Sequence, residues 1–329
     1  MNKEYGFGES AKYTDIGGSS SLNLLVCAAD KQYVARVYRP YVTAARFYDI
    51  FMIREKLIKS GLPCSISYKN LNGQDYVMWN GRIVEVEHFV IHDAIMDTMD
   101  RFKIALPYFG KTTSVLGEID NISFDGKNPL FSNHIHFEKI AEMTEKGCNR
   151  ILNWNPTESE VEIVNTSKIL AEQVLQAGES LISKLPRQMA HGDFWDNNIL
   201  FYHNQLSLIV DFDFMGERIR VEDIALTLYF AHISQNFCTS EYPSRERAVE
   251  LKKLLNLYES GLDVKLSEAE KIAVPMFIAV QAFWGIGGWV VLLDDEKAAR
   301  NHAAGMMWEL ERCKYIMDNL DKWQDIFCR

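Results

Sequence analysis

Apolar and polar positions follow two different rhythms along this chain, and the change comes near residue 90. Up to residue 89 the apolar positions fall in short runs at 22–28, 33–38, 65–68, 75–79 and 82–89, read as strands. Asn72-Gly73 and Asn80-Gly81 lie between the later runs, and both dipeptides favour tight hairpins. One helical stretch interrupts them. Residues 44–59 carry Phe47, Ile50, Phe51, Ile53, Leu57 and Ile58 at helical spacing, and Gly61 with Pro63 stops the pattern. From residue 93 helical spacing takes over. It predicts helices over 92–106, 108–119, 135–152 and 158–185, with Pro186 closing the last, and a helical region from 244 to the end. Ser267 and Glu270 form a capping box within that region.

A single hairpin breaks the helical half. Residues 199–202 and 206–210 are apolar runs joined by His203, Asn204 and Gln205. An antiparallel pair brings the chain back to where it left, so Asn198 and Asp211 are expected side by side, with Asp193 five residues before Asn198. Two carboxylates and an amide at one end of a sheet suit a magnesium-phosphate site, because hard cations take oxygen ligands and magnesium keeps few protein ligands. An Asp-Asn pair alone would be turn chemistry. The hairpin and Asp211 shift the balance toward a site. Near the start, D-I-G-G-S-S-S at 15–21 permits a tight turn in which Gly17, Gly18, Ser19 and Ser20 turn backbone amides toward a phosphate. Neither G-x-G-x-x-G nor a Walker lysine is present.

The run H-G-D-x-x-x-x-N from His191, followed by a hairpin ending in V-D-F-D, resembles the aminoglycoside phosphotransferase, homoserine kinase and choline kinase group of small-molecule kinases. The resemblance covers 188–230 closely and 15–89 more loosely. It implies an α+β, two-lobed, protein-kinase-like fold: a small antiparallel-sheet lobe over 1–89 that binds nucleotide, and a larger, mostly helical lobe over 90–329 with the catalytic loop and substrate pocket. Asp193 would then be the catalytic carboxylate, and Asn198 and Asp211 the ligands of Mg2+. Arg36 stands where protein kinases carry a phosphate-binding Lys, and R-V-x-R-P at 36–40 is familiar among the homoserine-kinase-like members. Asp49 is the nearest candidate for the acidic partner on the following helix, with Glu55 facing solvent. Glu87, His88 and Phe89 would form the adenine hinge. His191 and Asp223 would support the catalytic loop, while Asp213 is open between a metal contact, a substrate contact and a turn residue. The co-substrate is ATP or GTP. The implied acceptor is a hydroxyl of an aminoglycoside-type or other antibiotic, which would make this a resistance enzyme. The alternatives are an amino alcohol or sugar (homoserine, choline-like), a protein serine, or a catalytically silent nucleotide-binding protein.

Composition adds limits. With 47% hydrophobic and 24% charged residues in 329, the chain is ordinary globular material for one large or two medium domains. The apolar stretch 273–293 is broken by Pro275, Gln281, Gly285, Gly287 and Gly288, which favours a buried helix over a membrane span. Its aromatic residues Phe277, Phe283, Trp284 and Trp289, with Trp308 beyond, are read as core before pocket wall. No secretory signal opens the sequence. Six scattered cysteines favour reduced thiols and a cytoplasmic setting. The net charge of -10 argues against nucleic acid as a partner; it suits a cationic substrate, but ordinary solubility accounts for it as well. The segment 120–133, with Gly126 and Pro129, is expected as a loop over the substrate cleft.

Overall fold

The structure, a computed structural model, describes residues 1–18, 21–127, 135–233 and 244–329. Ser19, Ser20, Pro129 and Cys238 lie outside the described residues. The first 88 residues build a five-stranded antiparallel sheet from β1 (Lys12–Gly17), β2 (Leu22–Ala28), β3 (Lys31–Val37), β4 (Tyr76–Trp79) and β5 (Arg82–His88), in the order β1-β2-β3-β5-β4. Strand β1 was not foreseen: its side chains are exposed on both faces, so it carries no apolar alternation. The expected strand at 65–68 reduces to a single bridge between Ser67 and Glu87. Each strand alternates. Leu24, Ala35, Val37, Val84 and Val86 point one way and Arg36, Glu85 and Glu87 the other. A short helix α1 (Asn2–Tyr5) and the residues after it cover part of the first face, where Tyr5 and Phe7 pack on Val26, Tyr33, Ala35 and Val86.

Helix α2 (Ala44–Lys59) lies against the other face. Thr43 caps it by accepting from the Arg46 amide at 3.1 Å, and Ser60 with Gly61 at φ +81° ends it. Phe47, Ile50, Ile53 and Leu57 are fully buried, worth about 1.5–3 kcal/mol apiece.

Beyond the sheet comes β6 (Ala94–Ile95), then one helix, α3 (Met99–Gly117), where two were expected. Pro107 sits inside it. A proline costs an internal helix one hydrogen bond, yet Phe102, Leu106 and Phe109 on either side are all in the core and keep a single axis. Helices α4 (Phe124–Lys127), α5 (Ile140–Asn153) and α6 (Glu158–Gly178) follow. Helix α6 stops at Gly178, short of the expected 185, and only a 3-10 turn at Ile182–Lys184 follows. A side chain at Gly178 would collide with the Phe137 ring at 2.2 Å.

Strand β7 (Arg187–Ala190) pairs with β10 (Gly216–Ile219), and between them stands the hairpin β8 (Ile199–Tyr202) and β9 (Gln205–Ile209). Its turn is two residues, His203 and Asn204, both at positive φ, so Gln205 belongs to the second strand. Strand β6 pairs with β8, and Cys64 bridges to Ile209, which ties the hairpin to both parts of the chain. Helices α7 (Arg220–Ile233), α8 (Arg245–Gly261), α9 (Glu268–Val280), α10 (Val290–Leu292), α11 (Glu296–Asp318) and α12 (Leu320–Cys328) complete the core. Between α9 and α10, residues Trp284–Trp289 form a π-helix. Among the described residues no single helix is long and apolar enough to cross a membrane.

Candidate active site

Backbone hydrogen bonds fix the loop between β7 and β8 before any chemistry is asked of it. The Asp223 carboxylate, from the first turn of α7, accepts from the His191 amide at 2.8 Å and the Gly192 amide at 2.9 Å. The Thr227 hydroxyl, one turn on, donates to the Phe194 carbonyl at 2.5 Å, and the Phe194 ring stacks on Phe109 at 3.9 Å. Gly192 is at φ +80°, and a Cβ there would lie 2.4 Å from the Phe214 carbonyl oxygen. Only glycine fits. His191 is buried, with Nδ1 3.2 Å from the Asp193 amide and Nε2 3.1 Å from the Val210 carbonyl. That pair of partners assigns Nδ1 as acceptor and Nε2–H as donor. Burial pushes its pKa down to about 4, so the ring is neutral and spans the loop and the end of β9.

Asp193 is buried at the mouth of this loop. Its carboxylate accepts from the Asn198 side-chain amide at 2.7 Å, and its carbonyl accepts from the same nitrogen at 2.8 Å. Asn198 therefore spends its N–H groups on Asp193 and keeps its oxygen as an acceptor for something else. The Val210 amide donates to the Asn198 carbonyl at 3.0 Å, so the hairpin delivers Asp211 beside Asn198.

Asp211 adopts φ +67°, a left-handed conformation uncommon for residues other than glycine. Its carboxylate meets the Arg36 guanidinium at 2.6 Å. Asp213, 1% exposed, lies 3.3 Å from the same guanidinium and accepts from the Ser21 hydroxyl at 3.4 Å. Burial raises Asp213 to about 6 against the pull of Arg36. Burial works against the charge of Arg36 too, but Asp211 and Asp213 outweigh it and hold its pKa well above the usual value.

These groups face a cleft of about 600 Å³ between the sheet and the hairpin, lined by Gly17, Arg36, Phe89, Asp193, Asn198 and Asp211. A larger groove of about 1160 Å³ on the other face of the sheet, walled by Tyr48, Val77 and Trp79, holds none of them. The cleft's donors fit a hard divalent cation carried by phosphates: one carboxylate and one amide oxygen, with Arg36 Nε buried and without a hydrogen bond. No group of three or more His, Cys, Asp or Glu shaped for a metal occurs among the described residues.

Residues 154–260 match the model of the phosphotransferase enzyme family, and that span contains Asp193, Asn198, Asp211 and Asp223. No curated protein sequence matches the chain. Similar folds occur in an amicoumacin kinase in complex with AMP-PNP, Ca2+ and Ami (TM-score 0.67, 13% identity, covering 97% of this chain and 91% of that one). A microcompartment-associated aminopropanol kinase gives TM-score 0.67 at 14% identity, covering 99% and 96%, and the ethanolamine kinase of Plasmodium vivax gives 0.62 at 16%, covering 95% and 84%. This is the fold of the small-molecule kinases.

Seen in that fold, the sheet side departs from the expected wiring. Asp49 does not meet Arg36: its carboxylate accepts from the Ser123 amide, at 3.3 and 3.2 Å, and from the Ser123 hydroxyl, across the outer side of α2. The ion pair observed between helix and sheet runs the other way from the expected one. Helix α2 supplies the cation, Arg54, and β5 supplies the anions, Glu85 and Glu87, all three buried. Ser65 and Ser67 donate to the same carboxylates, and the Tyr38 hydroxyl donates to Glu85 at 2.7 Å. Glu87 lines the cleft with its carboxylate already paired to Arg54. His88 and Phe89 line the cleft directly. At the glycine turn, the Gly17 amide already donates to the Asp15 carboxylate at 2.8 Å, and Gly18 at φ +131° has no room for a side chain beside Asn23 and Ser21.

Sequence reasoning missed Arg54, which looked like one more charge on an amphipathic helix, and Arg46, described below. It also passed over Trp289 as core. Trp289, at the end of the π-helix, lines the cleft together with Trp195 and has His302 stacked on it at 5.0 Å, while Phe277 and Phe283 stay buried. Gly285, Gly287 and Gly288 were the available signal, since π-helical turns often mark functional sites. The described part of the 120–133 segment packs as α4 against α2 and β10, away from the cleft.

Proposed function

We propose that this chain transfers the γ-phosphoryl group of ATP, or of GTP, to a hydroxyl of a small molecule. One observation carries the reading: a buried carboxylate, Asp193, is held by Asn198 in the same cleft as Asp211, Arg36 and the Gly17–Gly18 turn. Residues 1–89 supply the nucleotide face, and residues 90–329 the catalytic loop and acceptor pocket. Asn198 and Asp211 would hold Mg2+, which neutralises charge on the nucleotide phosphates when bound. Asp193 accepts the hydrogen bond of the acceptor hydroxyl and aims its oxygen at the γ-phosphorus. Such a transfer rests on positioning and charge neutralisation, for which an ordinary carboxylate is adequate. Arg36 releases Asp211 to the cation and turns its fork toward phosphate oxygens.

Antibiotics and amino alcohols both remain acceptor classes of this reading. Trp195 and Trp289 at the acceptor end support a molecule with an apolar or singly cationic body, because an indole face attracts both. A polycationic aminoglycoside would call for several carboxylates; among the described residues lining the cleft these are Glu87, Asp193 and Asp211. The test is nucleotide consumption with Mg2+ across amino alcohols, aromatic antibiotics, aminoglycosides and sugars, with Asp193→Asn as control. Turnover that survives Asp193→Asn at the wild-type rate removes the assignment.

A further inference from the structure

Helix α2 reaches from the sheet side to the turn that carries Asp211. Arg46, in its first turn, is 1% exposed. Its Nε and Nη2 both donate to the Asp213 carbonyl, at 3.1 and 2.7 Å, Nη2 donates also to the Met215 carbonyl at 2.5 Å, and Nη1 donates to the Asp125 carbonyl at 2.5 Å. From the opposite side, Arg218 Nη2 donates to the Phe214 carbonyl at 2.7 Å. Three successive carbonyls, at 213, 214 and 215, are therefore bound by two buried guanidinium groups. The turn between Asp211 and Met215 makes few ties of its own. Phe212–Phe214 is one 3-10 turn, closed by the Met215 amide on the Phe212 carbonyl at 3.1 Å, and the residue before it holds a left-handed backbone. Buried carbonyls without partners are costly, so the conformation depends on donors from elsewhere.

We propose that Arg46 is a positioning residue for the phosphoryl transfer, holding the 211–215 turn in the form that presents the Asp211 carboxylate to the cation of the nucleotide. The inference rests on the kinase reading of the cleft. Four N–H groups of Arg46 serve three carbonyls lying in different directions, which a planar fork can do and a lysine ammonium cannot. The same residue joins α2 to α4 through Asp125, and the Thr43 hydroxyl adds a bond to the Asp125 carboxylate at 3.0 Å. A shift of the helix is thereby passed to the 211–215 turn through backbone carbonyls, without a carboxylate of the helix taking part.

Arg46→Met and Arg46→Lys in the full chain test this by Mg2+ titration of ATP turnover, Mn2+ binding, and amide hydrogen exchange. Both variants are expected to need about tenfold more Mg2+ for half-maximal rate, a loss of about 1.4 kcal/mol. Affinity for ATP without metal should stay near wild type, and exchange should quicken at 212–216 while α9 and α11 keep their protection. Should Arg46→Met fail to fold, Arg46→Lys carries the same readouts. A folded variant with wild-type Mg2+ requirement and wild-type exchange in the turn overturns the proposal. A wild-type chain whose ATP binding ignores Mg2+ overturns the kinase reading instead, and exchange at 212–216 then decides separately whether Arg46 holds the turn.

Discussion

The two walls of the cleft are held by opposite means. On the hairpin wall the ties are made to backbone: Asp223 to the amides of 191 and 192, Thr227 to the carbonyl of 194, His191 to the carbonyl of 210. On the sheet wall they are buried charges, and one of them joins residues far apart, Arg36 to Asp211, while Arg54 meets Glu85 and Glu87. A carboxylate bound by amides tolerates its burial. A buried ion pair depends on both partners, and removing one leaves the other charged and dry. The hairpin wall is therefore a rigid mount for Asp193, and the sheet wall is the part that a single charge change can loosen.

The largest effect is expected on the mount itself. Asp193→Ala should lower turnover on the order of 10³-fold with nucleotide affinity nearly unchanged, because the loop is held by Asp223 and Thr227 and not by the Asp193 carboxylate. Loss of ATP binding in equal measure would show that the hairpin wall is no more robust than the sheet. Next comes Arg54→Met, which strands Glu85 and Glu87 and should cost about 3 kcal/mol of stability by denaturant titration. Adding Glu87→Gln should recover part of that loss. An additive double variant would mean that Arg54 and Glu87 do not act as a pair.

Protonation separates the walls from the rest of the molecule. His232 is buried among Arg247, Arg312 and the edge of the Trp323 ring, and burial lowers its pKa to about 3. A depressed histidine contributes stability that is present above its unfolded value and lost as pH falls toward the folded one. The same sign applies to His191, at about 4. Asp213 and Asp223, raised by burial to about 6, act the other way: their contribution is present below the ordinary carboxylate range and lost as pH rises through 6. His232→Gln should thus gain on the wild type by up to about 2 kcal/mol between pH 7 and pH 5. A melting-temperature difference that stays constant over that range would contradict it. The smallest effect is expected for Arg36→Lys, which keeps the charge but gives up the fork, raising KM for ATP about fivefold with kcat nearly kept.

Much of the hairpin wall was legible because its information is local. The five-residue step from Asp193 to Asn198 and the hairpin between Asn198 and Asp211 fix where three oxygens stand without reference to the remaining chain. Asp223 was readable for the same reason, thirty residues downstream at a helix start. On the sheet wall the strands and the bounds of α2 could be read, but the pairing of its charges could not. Asp49 and Arg54 both lie on one helix among apolar positions, and helical spacing alone does not say which of them turns toward β5. Pro107 misled, because local preference marks a break where packing by Phe102, Leu106 and Phe109 kept one helix; the glycines of 284–289 did mark a break, and packing by Met143 and Met306 settled its form.

Periodicity and spacing by themselves determined four strands of the antiparallel sheet, the helical half, the hairpin and the convergence of Asp193, Asn198 and Asp211, since each is a property of backbone over a few residues. The tertiary structure alone decided that Arg36 meets Asp211 across 175 positions, that Arg46 and Arg54 anchor opposite ends of α2, and that Trp289 faces the cleft. A buried charge takes whichever partner the packed core brings within reach, and that distance is set only when the whole chain has folded.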